Sequence, residues 1–115
     1  MIDFNSHTTE GGTLVISLKG QLDEESNDYF FKCVLDEIEA GNTSIVINFA
    51  EMGYISSVGL GALVRARSRV AAAGGTIFLA RIENNVLDVF RLVRFDKVFN
   101  IYGTEAEAIA AIEAK

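Results

Sequence analysis

Proline and tryptophan are absent from this chain of 115 residues, which has a single cysteine and a single histidine. Without proline, low-complexity tracts or a fixed repeat, nothing marks an internal boundary, so one domain over residues 1–115 is expected. Cys33 alone closes no intramolecular disulfide and builds no multi-thiolate metal cluster, which excludes a structural zinc site and fits a reducing compartment. His7 stands near the amino terminus with no nucleophile nearby in sequence, and this leaves neither a Ser-His-Asp nor a Cys-His arrangement in view. Positive charge is scarce too: 10 Lys+Arg face 16 Asp+Glu, a net charge of −6. That balance repels polyphosphate, and no block of Lys/Arg tracks along the chain, so nucleic acid is excluded and a protein partner is expected. No apolar run approaches the ~20 residues needed to cross a bilayer, and Met1-Ile2-Asp3-Phe4-Asn5 lacks the basic start and apolar run of a signal peptide. A cytoplasmic protein without membrane insertion is expected, and its acidic surface favours a monomer.

Half of the residues are hydrophobic, and a chain of this length buries roughly two-thirds of its unfolded surface, enough for a core without staples. Residues 2 to 8 alternate weakly, Gly11-Gly12 makes a turn, and Thr13 to Leu18 is rich in β-formers, so the opening reads as a hairpin whose second strand ends at Gly20. A helix is expected from about 24 to 40, with Asp23-Glu24-Glu25-Ser26 as its cap region and Tyr29, Phe30, Cys33, Val34 and Ile38 inward. Ser44 to Phe49 is a near-continuous apolar run, as expected of a central strand covered on both faces. Residues 50 to 57 then read as a loop. A second helix follows to residue 73, with Leu60, Leu63, Val64 and Val70 inward and Gly74-Gly75 as its stop. Thr76 to Ala80 is a further strand, Asn84-Asn85 can cap a helix carrying Val86, Val89, Phe90 and Val93, Phe99 to Tyr102 is a short strand, and Thr104 to Glu113 is a terminal helix. The order is ββαβαβαβα: an α/β fold with a mostly parallel sheet and an antiparallel edge from the hairpin.

Motifs for catalysis are weak. Gly59-Leu60-Gly61 begins like G-x-G-x-x-G, but Val64 stands at the third glycine, and no G-x-x-x-x-G-K-[ST] occurs. Glu24, Glu25, Asp28, Glu37 and Glu39 form a solvated helix face, as do Arg65, Arg67 and Arg69. Cys33 on an apolar helix face behaves as a small hydrophobe. Neither an enzyme nor a cofactor is expected. What stands out is Tyr54-Ile55-Ser56-Ser57-Val58-Gly59-Leu60-Gly61, with two hydroxyls at a helix start. One serine serves as the cap. A phosphate added there would be stabilised locally by free N–H groups and the positive dipole end, and would add roughly −1.5 to −2 charges to a surface already acidic. Glycines at 59 and 61 leave room for a partner's backbone.

The chain resembles the STAS domain family, and within it the stand-alone bacterial anti-sigma-factor antagonists, over nearly its whole length. Gly20-Gln21-Leu22-Asp23 matches the family's G-x-L-D. Tyr54 to Gly61 resembles its (I/M)-D-S-(S/T/A)-G-L-(G/R) segment, and Phe90 to Tyr102 resembles its closing aromatic stretch. The resemblance implies a non-enzymatic switch. Unmodified, such an antagonist binds a kinase-type anti-sigma factor and releases the sigma factor; the kinase phosphorylates it on serine and a phosphatase restores it. By position Ser57 is the phosphoacceptor, with Ser56 as second choice. Asp23, Tyr54, Ser56, Ser57, Val58, Gly59, Leu60 and Gly61 form the partner-binding surface. Ser56 departs from the family's aspartate and Val58 from the small residue that follows the acceptor. The alternatives are a STAS-type subunit of a membrane lipid or solute transport complex, or a small nucleotide-binding domain.

Overall fold

The computed structural model describes residues 2–114; Met1 and Lys115, which complete the expected 1–115 domain, lie outside the described residues. The elements are β1 (Ile2–Thr8), β2 (Leu14–Leu22), α1 (Asn27–Glu39), β3 (Ser44–Ile55), α2 (Ser57–Ala72), β4 (Thr76–Ala80), α3 (Asn84–Leu92), a 3-10 turn (Phe95–Lys97), β5 (Ile101–Tyr102) and α4 (Glu105–Glu113). Apart from the 3-10 turn, this is the order ββαβαβαβα read from the sequence.

All five strands join one sheet in the order β1-β2-β3-β4-β5. The first pair is antiparallel and the others are parallel. Because each parallel strand lies beside its predecessor, right-handed crossovers put all the connecting helices on one face. There Phe30 and Val34 of α1, Leu63 and Val70 of α2, and Val86 and Phe90 of α3 bury Ile16, Leu18, Ile45, Ile47 and Leu79. The other face falls to α4, whose Ala108 and Ile112 cover Val46, Phe78 and Ala80. Glu113 fastens the end of α4 to the hairpin by accepting hydrogen bonds from the Thr9 and Thr13 hydroxyls, both at 2.7 Å. Those two hydroxyls hold its carboxyl below the usual range.

Several local expectations are corrected. Strand β2 does not stop at Gly20; that residue takes a φ of +113°, open to glycine, and the strand runs on to Leu22. Helix α1 starts at Asn27 rather than 24, because the Ser26 hydroxyl is engaged with the Gln21 carbonyl of β2 and gives no side-chain cap. Tyr29 and Val93 turn outward, and Cys33 is half-buried. At α3 the residue before the helix is Glu83, whose carboxylate is held by Arg81 at 2.7 Å instead of capping. The last strand shortens to two residues because Phe99 belongs to the close of the 3-10 turn, where its N–H donates to the Phe95 carbonyl at 2.9 Å.

Arg94 follows the end of α3 in the left-handed region, at φ 62°. Glycine is free at such a C-terminal position, whereas a side chain there costs roughly 1 kcal/mol. Arg94→Gly is therefore expected to raise stability by about 0.5–1 kcal/mol, read as a melting point a few degrees higher in thermal denaturation followed by circular dichroism.

Candidate functional site

Residues 50–55, expected as a loop, continue β3, and the pairing with β2 explains both the strand and its irregular pattern. Asn48 faces Ser17 but Glu51 faces Lys19, and Met52 faces Gly20 but Tyr54 faces Gln21, so β3 carries an extra residue at each of two places. Each bulge resets which side of the sheet the chain faces. The residues pointing into the core are then Phe49, Met52 and Ile55, three apart instead of two. The second bulge leaves Tyr54 49% exposed at the edge of the site.

Helix α2 starts directly from this strand. Ser56 is extended (φ −94°, ψ 174°), its N–H donates to the Leu22 carbonyl at 3.0 Å, and its Oγ accepts from the Gly59 N–H at 3.1 Å. Ser56 is therefore the cap, 7% exposed. Ser57, the first helical residue, is exposed, as are Val58 and Gly61. Ser56→Ala should cost about 1 kcal/mol, with a fall in melting point of about 4–8 °C, while Ser56→Asp, an equally good cap, should hold.

The residues expected to meet a partner thus divide. Tyr54, Ser57, Val58 and Gly61 line the surface and Asp23 is half-buried beside them, while Ser56, Gly59 and Leu60 are buried beneath. The two glycines have different reasons. A Cβ on Gly59 would lie 2.2 Å from the Leu22 carbonyl oxygen, so this glycine lets α2 close on the end of β2. A Cβ on Gly61 would meet nothing within 4 Å.

Asp23 builds the neighbouring loop. Its Oδ1 accepts from the N–H groups of Glu25 at 3.1 Å and Ser26 at 3.2 Å. Ser26, a buried polar residue expected only in the cap region of α1, donates to the Gln21 carbonyl at 2.7 Å and accepts from the Asp23 N–H at 3.0 Å. The Asp23-x-x-Ser26 spacing is the signal that could have found this turn. The arginines of α2 are occupied within the fold: Arg65 and Arg69 lie over the Phe31 ring, at 4.9 and 5.9 Å, and Arg67 lies over Phe99 at 5.7 Å. They cover aromatic surface as well as meeting solvent.

Among the described residues the strand order does not reverse, unlike the doubly wound folds whose crevice at such a reversal receives dinucleotides. What the arrangement presents is a small α/β module with a hydroxyl at the exposed start of a helix, on a face of mixed polarity. The STAS domain model matches residues 6–108, and the chain belongs to that family. A Thermotoga neapolitana protein named as an anti-sigma factor antagonist homologue is 27% identical over 96 residues, 83% of this chain and 85% of its own. The crystal structure of an anti-sigma factor antagonist from Thermotoga maritima superposes with a TM-score of 0.87 at 24% identity, covering 95% of this chain and 93% of that one. The phosphorylated form of SpoIIAA, a Bacillus cell fate determinant, superposes at 0.73 with 24% identity, over 96% of this chain and 99% of that one. No helix among the described residues is long and apolar enough to cross a membrane.

Proposed function

We propose that residues 1–115 form one non-enzymatic STAS-like module that works in the cytoplasm as an anti-sigma factor antagonist. Unmodified, its Tyr54–Ser57–Val58–Gly61 face docks on a kinase-type anti-sigma factor and frees the sigma factor. Phosphorylation of Ser57 ends docking, and a phosphatase restores it. The observation that carries this reading is the division of labour between the two serines: Ser56 is buried and engaged as the helix cap, while Ser57 is open to solvent. Antagonism enters from the names of the relatives, and a phosphorylated state from SpoIIAA, whose structure has been solved in that form.

Physically, Ser57 sits where unpaired N–H groups and the helix dipole favour a dianion, so the modified domain stays folded. The same dianion placed in a packed interface must be desolvated against a partner selected for the neutral hydroxyl. The test is incubation with the cognate kinase and ATP, followed by intact-mass analysis and peptide mapping. One added phosphate on Ser57, absent from Ser57→Ala, is expected. Modification only outside residues 54–61, or co-purification with a membrane transport complex that ignores Ser57→Ala, would overturn the assignment.

A further inference from the structure

The net charge conceals a strong separation. Seven of the ten Lys+Arg lie in residues 61–100 beside three acidic residues, whereas residues 1–60 hold ten of the sixteen acidic residues and two basic ones. Two surfaces concentrate this difference. The first is a knob formed by the end of α3 and the 3-10 turn, where the exposed Arg91, Arg94 and Lys97 alternate along the chain with the exposed Leu92, Val93 and Val98. Leu92 is 83% exposed. None of these three cations has an ion-pair partner among the described residues, where the ion pairs are Lys32–Asp36 and Arg81–Glu83. The second is a hollow of about 540 Å³ walled by Ile2, Asp3, Glu25, Ser26 and Tyr29.

Each surface has what the other lacks. The knob offers a branched aliphatic side chain with arginines one and two residues away in the chain, and the hollow offers an isoleucine, an aromatic ring and two carboxylates. An arginine can pair with either carboxylate or lie over the Tyr29 ring. The hollow belongs to β1 and the start of α1, and the knob leads into β5, so they stand at opposite edges of the sheet. They cannot meet within one chain.

We propose that this protein self-associates head to tail, the Arg91–Val98 knob of one copy entering the Ile2–Asp3–Glu25–Tyr29 hollow of the next. The contact joins unlike surfaces, so a growing series always has one knob and one hollow free until its rotation closes a ring. It is also small, which keeps it weak and confines it to high local concentration. The strain at Arg94 fits this role: a left-handed position where glycine would be more stable holds a cation of the knob. Neither surface includes Tyr54, Ser57, Val58 or Gly61, and Leu92→Glu changes none of the residues of that face, so failure here leaves the antagonist reading intact.

Sedimentation equilibrium on the full chain tests the proposal. From about 10 μM to about 1 mM, the weight-average mass should climb above the 12.5 kDa of one chain. Leu92→Glu and Glu25→Arg, both at exposed positions, should each weaken association about tenfold or more. Mixed in equal amounts, they should form a dimer and nothing longer, since one intact hollow meets one intact knob. Arg94→Gly should associate less while melting higher. A wild type that stays monomeric throughout, variants that associate as the wild type does, or a mixture that remains monomeric would overturn the proposal. So would a monomeric wild type that instead floats with phosphatidylglycerol-containing vesicles, which would assign the knob to a bilayer.

Discussion

Gly59→Ala is expected to lower stability by about 2–4 kcal/mol, a fall in melting point of roughly 10–20 °C, although alanine is the better helix former. The added methyl group would lie 2.2 Å from the Leu22 carbonyl oxygen and 2.8 Å from its carbon, and both are backbone atoms in a paired strand that cannot swing aside. The first turn of α2 would have to lift, taking with it the Ser56–Gly59 cap and the Ser56 N–H bond to the same Leu22 carbonyl. Two residues further on, Gly61→Ala should instead stabilise by about 0.5–1 kcal/mol, because its methyl group enters open solvent and the helix gains propensity. Thermal denaturation of the pair checks both signs. Equal shifts would mean that α2 does not close on β2 as described. If Gly61→Ala also weakens partner binding while stabilising the fold, the glycine serves the interface.

The contrast between these glycines shows which parts of the molecule were legible in the sequence. Elements with a clean period were: the apolar run Ser44–Phe49, the helix stopped by Gly74, and the strand Thr76–Ala80 stand where pattern and breakers put them. Residues 50–55 were not, because two bulges turn the alternation of period two into a spacing of three that matches no template. Ala50-Glu51-Met52-Gly53-Tyr54-Ile55 therefore looks like a loop although Glu51, Met52, Tyr54 and Ile55 pair with β2. The start of α1 was misplaced for another reason: Asp23 and Ser26 satisfy each other and the Gln21 carbonyl, a closed turn that competes with helix capping. The segment proposed as the site stands out in the sequence through its hydroxyls and glycines. Burial was not, since Ser56 and Ser57, or Gly59 and Gly61, are identical in type and differ only in what the fold places beside them.

That difference decides the second large effect. Phosphorylation of Ser57 should weaken binding to the anti-sigma factor by about 30- to 1,000-fold, corresponding to roughly 2–4 kcal/mol. Ser57→Asp, with one negative charge in place of nearly two, should fall toward the lower end, and Ser57→Ala should bind as the unmodified protein does. None of the three should shift the melting point much, because the side chain is exposed at the start of α2 and buries no surface when changed. A carboxylate in the first turn can even add a few tenths of a kcal/mol through the helix dipole. Titration calorimetry beside thermal denaturation separates the possibilities: a switch moves affinity and leaves stability in place. Affinity lost only in proportion to stability would mean that the serine supports the fold and not the interface. Ser56→Ala supplies the opposite case, a cap whose removal moves stability first, so the two adjacent serines should divide the two readouts between them.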